Sequence, residues 1–253
     1  MMTSEVEAEK PRGSELWDII KVVIHALILA AVVRVFLFQP FNIPSGSMMG
    51  TLLVGDYLFV SKYSYGYSRF SFPFGVLGFS GRVWEGTPER GDIAVFRLPK
   101  DTSVDYIKRV IGLPGDKIQM QNGILYINGT AVPKHKVEDY VGTDGYGHDV
   151  HYPRYEETLP NGVKYLVLDA NQQGELDTTG IYTVLPGHYF MMGDNRDNST
   201  DSRVTEAVGP VPIDNFVGRA QVVFFSIDEH ASVWRFWEWP VYIRWSRIFD
   251  ITR

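Results

Sequence analysis

From Leu16 to Phe38 the chain reads LWDIIKVVIHALILAAVVRVFLF, 23 residues in which Asp18, Lys21, His25 and Arg34 interrupt an otherwise apolar run. As a helix this run extends about 34 Å, enough to cross the ~30 Å hydrocarbon core of a bilayer. Its charges lie toward the ends, where the stems of Lys and Arg can snorkel to head groups. Val22 to Val33 taken alone also suits a buried core helix or the apolar region of a cleaved signal peptide. The alanines at 26, 30 and 31 never fall two apart, however, so no A-x-A cleavage pattern follows the run. The segment is therefore expected to stay attached as a transmembrane helix over 16–38. Lys10, Arg12 and Lys21 lie on its N-terminal side, whereas residues 39–61 contain neither Lys nor Arg. That asymmetry puts the polar tail 1–15 in the cytoplasm and the bulk of the chain outside.

The bulk is expected to fold as a mainly β protein. Beyond residue 40 short apolar runs are bounded by Gly, Pro, Asn and Asp, without sustained helical periodicity. Expected strands are 57–61, 92–98, 104–111, 117–121, 124–127, 189–192 and 221–226, and Asn122-Gly123 signals a type I′ hairpin. Residues 134–180 read as a polar, loop-rich insert whose least strand-like parts are YGHDVHYPRYEE and NQQGELDTTG. The last twenty-one residues carry four of the six tryptophans, interleaved with Arg. Such a segment can stack on nucleobases, pack as an edge cluster or lie at a membrane interface. A net charge of −6 disfavours nucleic acid as the partner. The absence of cysteine excludes disulfides, thiolate-bound metals and a cysteine nucleophile.

Three segments carry reactive groups. In Phe41-Asn-Ile-Pro-Ser-Gly-Ser-Met-Met, Ser45 and Ser47 flank Gly46; the residues suit an ordinary turn, and a serine there needs a neighbouring base to become a nucleophile. The histidines offer no persuasive triad, and His148-x-x-His151 lacks an obvious third metal ligand. In Val104-Asp-Tyr-Ile-Lys-Arg-Val-Ile, alternation places Lys108 on one face with Val104, Tyr106 and Val110. A lysine there snorkels, pairs with a carboxylate or, if desolvated, loses its charge and becomes a base. The third segment, Gly193-Asp-Asn-Arg-Asp-Asn-Ser-Thr-Asp-Ser-Arg203, suggests a calcium loop. Counted from Asp197, however, position 6 is Ser202 rather than Gly and position 12 is Val208 rather than Glu.

Together the blocks Pro44-Ser-Gly-Ser-Met-Met-Gly-Thr-Leu-Leu with Gly55-Asp-Tyr, Arg90-Gly-Asp-Ile-Ala-Val-Phe, Tyr106-Ile-Lys-Arg-Val-Ile-Gly-Leu-Pro-Gly-Asp116 and Gly193 to Arg203 resemble the bacterial type I signal peptidases. These are membrane-bound Ser-Lys proteases that remove signal peptides from exported preproteins. One departure is Gly50, where the family usually has proline, which is expected to loosen the loop. The resemblance implies an antiparallel β-sheet, barrel-like catalytic domain over 40–121 and 188–253, with a β-rich inserted subdomain over 122–187. It implies Ser47 as nucleophile and Lys108 as general base, Ser45 in an oxyanion hole, Ser199 orienting the lysine, and Asp194, Asp201 and Arg203 supporting the loop. Phe41, Ile43, Met48, Leu52 and Ile107 would form shallow pockets for an Ala-x-Ala site. No metal, cofactor or nucleic acid is implied, and the partners are signal peptides and membrane lipid. The place is the bacterial cytoplasmic membrane, with the catalytic domain on its extracytoplasmic face. Two rivals share some features: a membrane-tethered β module binding through its aromatic end, and a self-cleaving Ser-Lys repressor, which lacks an anchor.

Overall fold

A computed structural model describes residues 12–72, 81–143, 148–232 and 234–252. Helix α1 (Arg12–Val32) runs into one π-helical stretch, Val33–Leu37, so that helical structure begins before the expected 16 and ends one residue early. The part of the expected tail at 1–11 lies outside the described residues. Residues Leu16–Leu37 are long and apolar enough to cross a membrane, and the rest of the protein buries none of that window. Asp18 and Lys21 form an ion pair at 3.2 Å one turn apart, and His25 Nδ1 lies 2.7 Å from the Lys21 carbonyl. Asp18, Lys21 and His25 thus find partners on the helix itself. The helix exit is fastened by the Tyr67 hydroxyl, which donates to the Phe36 carbonyl, and by the Lys62 N–H, which donates to Leu37.

Sixteen strands are described: β1 (Phe38–Asn42), β2 (Asp56–Ser61), β3 (Ile93–Leu98), β4 (Asp101–Gly112), β5 (Lys117–Gln121), β6 (Ile124–Ile127), β7 (Thr130–Ala131), β8 (Lys134–Lys136), β9 (Tyr140–Thr143), β10 (Asp149–Tyr152), β11 (Arg154–Thr158), β12 (Lys164–Leu168), β13 (Tyr182–Thr183), β14 (His188–Met192), β15 (Val211–Pro212) and β16 (Phe216–Ser226). The main sheet has the order β1-β2-β16-β3-β4-β14-β15, and each of its pairings is antiparallel. The mainly antiparallel β architecture expected from the sequence is therefore present. Asn122 and Gly123 both have positive φ, 49° and 75°, as the hairpin between β5 and β6 requires.

The insert differs from its loop-rich reading. YGHDVHYPRYEE contributes β10 and most of β11, and β11 is the centre of a three-stranded sheet ordered β12-β11-β8. Its polar side chains hid this, because Glu157 is fully buried opposite an arginine rather than exposed. NQQGELDTTG holds no strand, as expected. Strand β1 was also missed, since its Phe38 ends the apolar run and its Pro40 interrupts a strand pattern.

Three apolar clusters hold the sheets together. Ile43, Met48, Leu52, Leu58, Val60, Ile93 and Val95 pack with β16 residues Val217, Ala220 and Val223, and Phe96, Val110, Tyr189, Met191 and Phe216 form a second cluster. The third joins the insert to the main sheet through Ile111, Ile118, Tyr165, Val167, Phe190 and Met192. Because β4 contributes to all three, either through a buried or a partly buried side chain, its middle is locked in place. Lys108 lies in that middle, opposite Ala94 of β3.

Candidate active site

The turn after β1 is set by hydrogen bonds at both ends: Ile43 N–H donates to Asp56 and Gly55 N–H to Ile43. Ser45 follows in extended backbone, and Gly46–Met48 make one turn of 3-10 helix. Ser47 is 9% exposed at the centre of this turn, whereas Ser45 is exposed, with the two hydroxyl oxygens 3.4 Å apart. The first N–H groups of a helix have no acceptor within it, which leaves the Ser47 N–H for another partner.

Strand β4 brings Lys108, 61 residues away in sequence, to that turn. Its Nζ lies 2.6 Å from Ser47 Oγ, and the side chain is 4% exposed. Burial lowers its pKa to about 8; the Asp201 and Asp194 carboxylates oppose the shift, while Arg203 adds to it. With the amine charged, Nζ–H donates to Ser47 Oγ. Once neutral, its lone pair can accept the serine proton instead.

The loop 193–203 closes over the pair. Gly193 follows β14 at a place where a Cβ would stand 2.2 Å from Ser199 Oγ and 2.5 Å from the Ser47 carbonyl, so only glycine allows this approach. Asn195 holds the serine turn twice, through its backbone N–H to the Ser47 carbonyl and its Nδ2 to the Gly46 carbonyl. Arg203 grips Asp201 with both Nε and Nη2 at 2.9 Å, and the Gly193 N–H donates to the same carboxylate. Although burial opposes it, these charges and bonds hold the Asp201 carboxyl below its ordinary pKa. Asp194 takes two hydrogen bonds from Arg109 and one from Thr51 Oγ1.

Some expected site residues behave differently. Ser199 Oγ is buried and lies toward the Asp201 carboxylate, whose pKa it helps to lower, and no bond links it to Lys108 among the described residues, although both border one cleft. Of the five apolar residues expected to line pockets, Ile107 reaches the wall of that 620 Å³ cleft; Ile43, Met48 and Leu52 are sealed in the core and Phe41 is partly buried beside them. Contact with the main sheet outweighs exposure to a ligand for these side chains. The cleft wall instead includes Val104, Asp105, Tyr106, Leu176 and Val204. Gly50 has φ +122°, with its would-be Cβ 3.0 Å from the Leu166 carbonyl, so the loop is drawn tight against β12 rather than loosened. Proline, fixed near −65°, holds a different backbone there.

Sequence reasoning missed the support behind the loop. Arg196 makes a two-pronged ion pair with Glu157 of β11 at 2.9 and 2.6 Å, and the Tyr165 hydroxyl of β12 donates to the same carboxylate. Arg109 lies over the Tyr165 ring, 4.4 Å from its centroid. Arg196 belongs to a motif already singled out, but nothing in sequence identifies Glu157 as its partner. The histidine pair of the insert has no metal geometry among the described residues: the candidate ligand group found there consists of aspartates alone.

This arrangement has relatives. A model of the family described as "Signal peptidase, peptidase S26" matches residues 16–225, from the apolar helix to β16. Signal peptidase I of Rickettsia typhi is 46% identical over 206 residues, which covers 78% of this chain and 76% of that protein. The Rickettsia akari signal peptidase I is 40% identical over 257 residues, covering 95% and 93%. A solved signal peptidase I from Enterococcus faecalis V583 is 28% identical and covers 53% of this chain and 96% of that one, with a TM-score of 0.31. With the family pattern spanning the anchor, the serine turn, β4 and the loop 193–203, the chain belongs to the signal peptidase family, peptidase S26.

Proposed function

We propose that this chain removes signal peptides from exported preproteins by cleaving after an Ala-x-Ala-type site, with Ser47 as nucleophile and Lys108 as general base. The observation that carries the reading is the 2.6 Å approach of a buried Lys108 amine, its pKa lowered to about 8, to Ser47 Oγ. Neutral Lys108 takes the Ser47 proton as Oγ bonds to the scissile carbonyl carbon. The oxyanion so formed takes the Ser47 N–H and the Ser45 hydroxyl; such donors are worth about 10²–10³ in rate. The Lys108 ammonium then returns its proton to the departing amine, which leaves an ester on Ser47. Lys108, neutral again, activates the water that hydrolyses it. Ser199, which borders the same cleft as Lys108, is assigned to hold the lysine amine, and Asp194, Asp201 and Arg203 to hold the loop. Ile107, at the cleft wall, and Phe41, partly buried near it, favour small substrate side chains by excluding bulk, with Ile43, Met48 and Leu52 as the packed floor.

The chain is anchored through α1 in the bacterial cytoplasmic membrane, the N-terminus inside and the β domain outside, because the flanking Lys and Arg lie on the N-terminal side. Trp234, Trp237 and Trp245 expose their rings in the C-terminal segment, which favours contact with lipid head groups over packing against the sheet. The test is cleavage, in detergent, of a preprotein bearing an Ala-x-Ala site by the full chain and by Lys108→Ala. Cutting after the second alanine by the wild type alone upholds the assignment. Equal cutting by the two proteins removes Lys108 as the base, and a cut elsewhere removes the site preference.

A further inference from the structure

Behind the loop 193–203, three aspartates from distant parts of the sequence converge. Asp169 follows β12, Asp177 lies before β13 and Asp197 belongs to the loop itself; one carboxylate oxygen from each lies within 4.8 Å of the others. Two oxygens on opposite sides of a calcium ion, each at 2.3–2.6 Å, are about 4.6–5.2 Å apart, so the three can share one ion. One oxygen of each is already committed. Asp169 Oδ2 pairs with Lys134, Asp177 Oδ2 accepts the Gly174 N–H, and Asp197 Oδ2 accepts the N–H groups of Ala170 and Asn171.

The second oxygens of Asp169 and Asp197 are the informative ones, while Asp177 offers the oxygen that the Gly174 N–H already binds. Asp169 is 1% exposed, yet its Oδ1 has no hydrogen-bond partner, a costly state for a buried carboxylate oxygen. Its Oδ2 pairs with Lys134 and lies near Gly123, which leaves Oδ1 as the buried oxygen of this carboxylate without a partner. Asp197 Oδ1 and Asp177 Oδ2 converge at Gly174, where a Cβ would stand 3.2 and 3.1 Å from them. Lys134 offsets one of the three negative charges and a divalent cation offsets the other two. The all-oxygen donor set suits a hard cation, and calcium tolerates an irregular cage better than magnesium does.

We infer that Asp169, Asp177 and Asp197 form a structural calcium site that fastens the insert to the loop bordering the active-site cleft. Asp197 lines both that cleft and the adjoining 410 Å³ cavity, whose walls include Ala170, Asn171 and Gly174. The ion lies outside the Ser47–Lys108 chemistry and steadies one wall of the cleft. The sequence conceals such a site because its ligands are spread over 29 positions and fit no contiguous loop pattern.

The test uses the full chain in detergent after treatment with EDTA. Calcium chloride is titrated while thermal unfolding is followed, and terbium luminescence, sensitised by nearby aromatic rings, reports binding directly. A saturable rise in Tm with calcium is expected, with little response to magnesium at equal concentration. Asp177→Asn and Asp197→Asn each keep the hydrogen bonds of the committed oxygen but lose a ligand charge. Both are expected to weaken calcium binding about tenfold or more while melting no lower than the wild type in EDTA. If one variant does not fold, the other carries the comparison. The inference is overturned if the wild type shows no saturable calcium response, if magnesium acts equally, or if the folded variants respond as the wild type does.

Discussion

Replacing Lys108 by methionine should make the protein more stable at neutral pH even as it abolishes cleavage. In the fold the Lys108 pKa is about 8, whereas the unfolded chain restores it to about 10.5. At 1.36 kcal/mol per unit, keeping this lysine charged in the fold at pH 7 costs about 3 kcal/mol. The unfolded state holds the extra proton between pH 8 and 10.5, so this group makes stability rise with pH across that window, while below pH 8 the full penalty remains. Methionine nearly matches the side chain in length and removes the penalty, but forfeits the hydrogen bond to Ser47, worth about 1 kcal/mol. A net gain of about 2 kcal/mol is expected at pH 7, shrinking to near zero by pH 10. Urea unfolding of both proteins in detergent at pH 7, 8.5 and 10 measures it. A methionine variant less stable than the wild type at pH 7, or a difference independent of pH, refutes the view that burial makes Lys108 a base.

The same pKa sets the rate profile. The neutral fraction of Lys108 rises from about 9% at pH 7 to about 90% at pH 9, so kcat/KM for a preprotein should climb about tenfold over that range; a flat profile assigns the base elsewhere. Gly50→Ala forces a side chain into positive φ, 3.0 Å from the Leu166 carbonyl, and should destabilise by about 1–3 kcal/mol in thermal unfolding. An unchanged Tm would mean the turn relaxes freely. Glu157→Gln strands the Arg196 charge in the core and should cost about 3–5 kcal/mol, whereas the double variant Glu157→Leu with Arg196→Met should recover much of that; failure of the pair to recover would show that the ion pair is not the source.

How much could be read beforehand follows from where each kind of information resides. The serine turn, β4 and the loop 193–203 are contiguous motifs, so their residues were legible as letters. Their meeting was legible only through resemblance, because nothing local brings Lys108 to Ser47 across 61 positions. The strands with alternating burial, such as β2 and β5, announced themselves, since one face of each is buried. Strand β11 did not, because Arg154, Glu156 and Glu157 read as a solvated loop. Buried Glu157 draws its stability from an arginine on another segment, and no window of sequence contains both partners. The pocket residues differ in another way: Met48 is next to the nucleophile in sequence and Leu52 five positions on, yet both side chains are packed in the core. Proximity along the chain did not become exposure at the cleft wall.

The ion pairs around the site explain why burial controls the lysine. Asp201 and Asp194 are the carboxylates that favour the charged form of Lys108, and left unpaired in a buried site they would hold its proton firmly. Arg203 covers Asp201 with a two-pronged pair, and Arg109 does the same for Asp194. Each pair is nearly neutral when viewed from Lys108, so the aspartates offset only part of the desolvation and the pKa remains at about 8. The same carboxylates also perform mechanical work, since Asp201 binds the Gly193 N–H and Asp194 ties Thr51 to Arg109. A neutral side chain in their place would not span these contacts, and a bare carboxylate would disarm the base. Pairing each aspartate with an arginine satisfies both demands, at the expense of desolvating four charges in the core.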